Sequence, residues 1–176
     1  VEGILRGIYP VREAKASPAR VQLFGSGAIL REVLAAAEIL EADFAVPADV
    51  WSATSYTELA REGIQVERWN RLHPEAPPRS SYLQQQLEGH PGPVIAASDY
   101  IRAFPDQIRA HLDRRYTVLG TDGWGRSDTR ERLREFFEVD RHSVVIASLK
   151  ALADTGEIEA GQVAEAIDRY GLDTER

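Results

Sequence analysis

The chain has 176 residues, 43% of them hydrophobic and 28% charged, and a formal net charge of -7. That length suits one domain of ordinary size with a substantial core, while the acidic balance disfavours sequence-independent binding to nucleic acid or an anionic membrane, both of which need a basic face. With no cysteine there is no disulfide, thiolate nucleophile or Cys-ligated zinc, and no apolar run approaches the roughly 18 residues of a membrane span. The opening Val1-Glu-Gly-Ile-Leu-Arg-Gly and the lack of any Met read as a piece cut from a longer chain, with a cytoplasmic setting as the default expectation.

In chain order, the alternation of Ile4 to Tyr9 predicts an edge strand, and Pro10 with the polar stretch Arg12 to Ala19 predicts a turn or exposed connection. Val21-Gln-Leu-Phe predicts the first core strand. Gly25-Ser-Gly27 then turns into a helix with Ile29, Val33, Ala36, Ala37 and Leu40 on one face. Asp49 to Ala53 reads as a second strand, followed by a helix through Leu59 whose start carries Thr54 or Ser55 as N-cap and Glu58 in the first turn.

His73 to Arg79 is too proline-dense for regular helix or central strand. A short helix over Tyr82 to Leu87, a third core strand over Pro93 to Ser98 with Asp99 at its end, and a helical stretch near Ile101 to His111 follow. Tyr116 to Gly120 is the fourth core strand. Beyond it, Leu133, Phe136 and Phe137 mark an amphipathic helix, and Asp128 stands three residues before Glu131 in capping-box spacing. Asp140 caps a helix carrying Val144, Val145, Leu149 and Leu152, and Ile158 to Tyr170 forms the last one.

Strands alternating with helices imply a parallel sheet covered on both faces, with the core strands ending at one common edge. In such sheets ligands bind beyond the carboxyl ends, where strand order reverses. That edge supplies the candidate ligand or docking residues: Gly25, Ser26 and Gly27 after the first core strand, Thr54 and Ser55 after the second, Ser98 and Asp99 after the third. The loop after the fourth adds Thr121, Asp122, Gly123, Trp124 and Arg126, of which Asp122, Trp124 and Arg126 have no evident local role.

Common catalytic signatures are missing. Gly25-x-Gly27 could hold a phosphate on backbone amides, but Leu30 replaces the third glycine of a dinucleotide fingerprint and the second strand does not end in a ribose-binding acid. The four histidines lack metal-ligand spacing, so no metal site is expected, and neither a nucleophile elbow nor a P-loop occurs. The last two helices resemble a helix-turn-helix in outline. Their second member, however, sets Glu165 and Asp168 against Arg169 alone, which would repel phosphates.

The runs Gln22-Leu-Phe-Gly-Ser-Gly, Asp49-Val-Trp-Ser-Ala-Thr-Ser-Tyr-Thr-Glu-Leu, Glu67-Arg-Trp-Asn-Arg-Leu-His-Pro and Leu119-Gly-Thr-Asp-Gly-Trp-Gly-Arg-Ser-Asp-Thr-Arg-Glu together resemble the C-terminal domain of the homodimeric bacterial pyruvate dehydrogenases, in the transketolase-like superfamily. The resemblance runs from about Val1 to the chain end. It implies a three-layer α/β/α fold, with a five-stranded, mostly parallel sheet and one antiparallel edge strand. Residues 1–19 would give the edge strand and connecting segment, and residues 20–176 a single domain. It also implies that the whole enzyme uses thiamine diphosphate and magnesium to decarboxylate pyruvate, linking glycolysis to acetyl-CoA, and passes the acetyl group to lipoyl arms of the dihydrolipoyl acetyltransferase.

The family's catalytic residues and cofactor motif lie in preceding domains, and none transfers to a position here. The metal-diphosphate signature is Gly-Asp-Gly followed well downstream by Asn; here the nearest triplet is Thr121-Asp-Gly, and the single Asn, Asn70, lies upstream. The resemblance thus implies a structural and assembly domain, inactive and cofactor-free alone, whose partners are the other domains of its chain, a second subunit and the acetyltransferase. An exposed apolar face is expected around Tyr56, Trp69 and Trp124. The alternative is a free-standing α/β module that holds a small anionic ligand at the sheet edge.

Overall fold

The structure, a computed structural model, describes residues 1–15, 17, 19–123 and 125–175. Its strands are Ile8–Arg12 (β1), Val21–Gly25 (β2), Ala48–Ala53 (β3), Val94–Ala97 (β4) and Tyr116–Leu119 (β5). They form one sheet in the order β1-β3-β2-β4-β5. β2 to β5 run parallel and β1 pairs antiparallel with β3. This is the expected five-stranded, mostly parallel sheet with an antiparallel edge.

The helices are Glu2–Arg6 (α1), Leu30–Phe44 (α2), Tyr56–Leu72 (α3), Tyr82–Leu87 (α4), Ala103–Asp106 (α5), Arg130–Phe136 (α6), Arg141–Asp154 (α7) and Ala160–Tyr170 (α8). Successive strand residues point to opposite faces. Leu23, Val50 and Ile95 therefore meet Val33, Ala37 and Leu40 of α2 and Val145, Leu149 and Leu152 of α7 in one core. Phe24, Trp51 and Ala96 face the other way, onto Tyr56 and Leu59 of α3 and Leu83 and Leu87 of α4. Helices thus cover the sheet on both faces.

Three local expectations change. Ile4 to Tyr9 is not one strand: α1 occupies its first part, supported by the Glu2–Arg6 pair one turn apart and ended by Gly7 at φ 101, and the edge strand starts only at Ile8. Pro10 is no turn residue but lies inside β1, where an outermost strand tolerates the missing N–H and the register with β3 shifts between Pro10 and Arg12. The stretch Ile101 to His111 breaks into α5 and a 3-10 turn, Arg109–His111. Elsewhere, Ser55 is the N-cap of α3, accepting from the Glu58 amide at 3.1 Å, and Asp140 caps α7 through the Ser143 amide.

At the amino-terminal edge of the sheet a buried polar network replaces apolar packing. The Asp49 carboxylate is fully buried. It pairs with Arg20 and accepts from the Ala14 amide at 2.8 Å, from Gln22 Nε2 at 2.8 Å and from His90 Nδ1 at 3.1 Å. Gln22 in turn accepts from the Trp51 indole N–H at 2.8 Å. Burial alone would raise the Asp49 pKa, but the Arg20 guanidinium, the Ala14 amide, Gln22 and His90 outweigh it and hold the carboxyl below its ordinary 3.8.

Leaving Arg20 buried without its anion should make Asp49→Ala destabilising by about 3–5 kcal/mol, the usual result of breaking a buried pair. Because the folded pKa is depressed, the carboxylate's stabilisation is complete above its unfolded value and is lost as pH falls through the folded one. Urea unfolding of the wild type should therefore weaken more steeply below pH 3.8 than that of Asp49→Ala. Parallel pH profiles would contradict this account.

Candidate functional site at the carboxyl edge

The chain leaves β2 for β3 on one side and returns to β4 on the other, so strand order reverses between β2 and β4. Gly25 lets α2 come close there, since a Cβ would stand 2.8 Å from the Leu30 Cα. Gly27 takes φ 55 and starts a 3-10 turn, a conformation that L side chains rarely adopt. These two glycines shape a tight turn between strand and helix.

Across the switch point Ser26 and Ser98 join hydroxyl to hydroxyl at 2.8 Å, and the Tyr100 amide donates to Ser98 Oγ at 3.1 Å. The Asp99 carboxylate lies against the turn, with Oδ1 2.9 Å from where a Cβ of Gly27 would be. Thr121 donates its hydroxyl to the Asp99 carbonyl at 2.8 Å. Residues after β2, β4 and β5 thereby meet around one crevice of about 500 Å³, whose lining includes Ile29, Asp99, Arg126, Arg130 and Phe137.

Thr54 and Ser55 do not join them. β1 flanks β3, so the turn at Gly7 folds over their end of the sheet: its carbonyl accepts from the Thr54 and Ser55 amides at 2.9 and 3.1 Å, and Thr54 donates its hydroxyl to the Ile4 carbonyl. The predicted edge is therefore divided into a capped half and an open half.

The loop after β5 differs from expectation in two side chains. Asp122 has a local role: its carboxylate accepts from the Arg102 amide at 2.9 Å and pairs with the Arg102 guanidinium, which holds its pKa below the usual value. Asp128 is not the N-cap of α6. That position belongs to Thr129, whose hydroxyl accepts from the Arg132 amide at 3.4 Å, while Asp128 accepts from the Thr129 amide. Gly123 has φ 113 with open space around it, and the Arg126 guanidinium lies 4.0 Å from the Phe136 ring centroid. Trp124 lies outside the described residues.

The expected apolar face is also redistributed. Tyr56, the first residue of α3, is buried in the core that holds Phe24 and Trp51, and burial raises its phenol pKa. Trp69 is half-buried, stacked on His73 with ring centroids 4.3 Å apart and with the Arg79 guanidinium 3.7 Å from its centroid. Exposed apolar side chains at the open edge include instead Tyr100, Ile101, Phe104 and Phe136.

Sequence reasoning missed Arg130 and the ion pairs behind the crevice, in which Glu32 of α2 meets Arg134 of α6 at 2.8 Å and Arg141 of α7 at 2.9 Å. Burial alone would raise the Glu32 pKa, but hydrogen bonding and charge from Arg141, with charge from Arg134, lower it. No sequence signal links positions so far apart. Among the described residues no three His, Asp or Glu converge as a metal-ligand set.

Thr129→Ala should cost about 0.5–1 kcal/mol, the lower part of the range for a lost N-cap, in keeping with a 3.4 Å contact, and more than Asp128→Ala. Asp122→Ala should stay within about 1 kcal/mol because the pair is exposed. Chemical denaturation of the three variants tests this ranking; an Asp122→Ala protein that unfolds outright would show the loop to be a structural clasp.

A family model described as the transketolase-like TK C-terminal domain matches residues 7–140. The chain is 56% identical to the pyruvate dehydrogenase E1 component of Pseudomonas aeruginosa over 99% of its own length and 20% of that protein's. It is also 56% identical to that of Cupriavidus necator over 98% of its length and 19% of the relative's. The chain thus spans about a fifth of the curated relatives it matches. A transketolase from Pichia stipitis, solved with sedoheptulose-7-phosphate, shares the fold at a TM-score of 0.58 and 15% identity, over 88% of this chain and 19% of the other. The open crevice, the reversed strand order and the matched residues converge on one assignment: the chain belongs to the transketolase-like TK C-terminal domain family.

Proposed function

We propose that this chain is the C-terminal structural and assembly domain of a thiamine-diphosphate- and magnesium-dependent pyruvate dehydrogenase, which decarboxylates pyruvate and passes the acetyl group to lipoyl groups of a dihydrolipoyl acetyltransferase. The observation that carries the proposal is the 56% identity to the Pseudomonas aeruginosa E1 component across 99% of this chain. In this reading residues 20–176 form the domain, residues 1–19 add the edge strand and connecting segment, and the protein works in the cytoplasm as a homodimer. Cofactor and metal are held by other parts of that protein.

The open sheet edge supports a docking role. Tyr100, Ile101 and Phe104 are 65%, 45% and 42% exposed within five residues of chain, and Tyr100 and Phe104 meet edge to face at 5.7 Å. Apolar side chains gathered beside a rigid sheet edge are characteristic of interaction surfaces. The Asp122–Arg102 pair borders the patch and would contribute polar rim contacts to another domain or subunit.

In the full-length protein, Tyr100→Ser with Phe104→Ser should weaken dimer or inter-domain association, lowering pyruvate turnover at least about tenfold at limiting protein concentration. Sedimentation and activity measured on the same samples would test this. Unchanged association would remove the docking assignment. The 176-residue chain alone should give no calorimetric signal with thiamine diphosphate in magnesium buffer, and a saturable one would overturn the placement of the cofactor elsewhere.

A further inference from the structure

The charges around the open crevice are unequally satisfied. Arg134 is engaged by Glu32, and Arg126 lies over the Phe136 ring. Arg130 and Asp99 line the same cavity of about 500 Å³, yet neither side chain has a hydrogen-bond or ion-pair partner among the described residues. On the loop after β4, by contrast, the Arg102 guanidinium is paired with Asp122. The crevice therefore keeps a guanidinium and a carboxylate apart across a space of ligand size.

Apart from Thr121, its remaining lining is apolar or glycine and includes Ile29, Leu133, Phe137 and Val139, with Ile29 and Val139 buried beneath. An apolar pocket with a few fixed polar groups is the usual composition of a small-molecule site. Arg130, at the start of α6, favours an anion and can grip a carboxylate with two parallel N–H donors. Asp99 accepts hydrogen bonds and so selects a hydroxyl or ammonium donor.

The glycine turn decides against a nucleotide. Ser26 spends its hydroxyl on Ser98 and its amide on the Ala97 carbonyl. The Asp99 carboxylate also lies against Gly27, where a phosphate would have to approach the turn, and like charges repel.

We propose that the crevice binds a small organic acid carrying a hydroxyl or ammonium donor near its carboxylate, with the carboxylate on Arg130 and the donor on Asp99. This does not depend on the assembly role argued above, since a ligand site and a docking surface can occupy the same sheet edge independently.

The test is calorimetric titration of the full-length protein with malate, with succinate as the analogue lacking the hydroxyl, and with inorganic phosphate. Malate should bind at least about tenfold more tightly than either, a difference of about 1.4 kcal/mol. Arg130→Gln should weaken malate and succinate alike by about tenfold or more, and Asp99→Asn should remove most of the preference for malate over succinate. Absence of binding by all three up to about 10 mM, or malate binding unchanged in Arg130→Gln, would overturn the site. Equal binding of malate and succinate by the wild type would overturn the role of Asp99, and phosphate binding as tight as malate would overturn the organic-acid class. None of these outcomes bears on whether Tyr100 and Phe104 support association.

Discussion

Asp49 lies where water does not reach, and four groups from three segments of chain turn toward it: the Ala14 amide, Arg20, Gln22 and His90. A carboxylate in such a place is tolerable only when its lone pairs are filled and its charge is matched. Filling them ties the connection after β1, the foot of β2 and the loop before β4 to one atom group on β3. With the feet of the strands fixed in this way, their far ends emerge in a set register, and the loops at the carboxyl edge inherit their positions from it.

The crevice follows from that register and from strand order. β2 and β4 neighbour each other although α2, β3, α3 and α4 separate them in sequence, so their following loops diverge and leave a gap. Ser26 and Ser98 bridge its base, Thr121 holds the Asp99 backbone, and α6 forms the far wall, anchored from behind by the Glu32–Arg134 contact. The wall is polar at its outer rim and apolar inside because α6 has no fully buried residue of its own, while its Leu133 and the Phe137 that follows it line the crevice.

The four parallel strands were legible because each is a short apolar run bounded by turn-forming residues, and α2 because its apolar residues recur at helical spacing. α1 was not: Ile4, Leu5 and Ile8 suit either period, and the choice was made by Gly7 and by the space Gly3 leaves for Tyr9, whose Cβ would meet an added Cβ at 2.7 Å. The same turn explains why Thr54 and Ser55 looked available. Topology places them at the carboxyl edge, but antiparallel pairing of β1 brings a carbonyl onto their amides, which no local pattern announces. Asp128 and Thr129 are both good caps, and one residue of loop length decided between them. Arg130 and Asp99 line one crevice only because α6 folds back over the end of β4, a tertiary property that no spacing encodes.

The free side of β1 bears on how such a unit can assemble. Pro10 offers no N–H, and the register shift beyond it interrupts the regular ladder; at the opposite margin β5 is only four residues long. Both margins are thus poor templates for an incoming strand. Sheet-to-sheet continuation, the shortest route by which such a sheet aggregates or swaps with its copies, is disfavoured by the backbone itself. Recognition of any neighbour is left to side chains on loops and helices, where partners can be distinguished from one another.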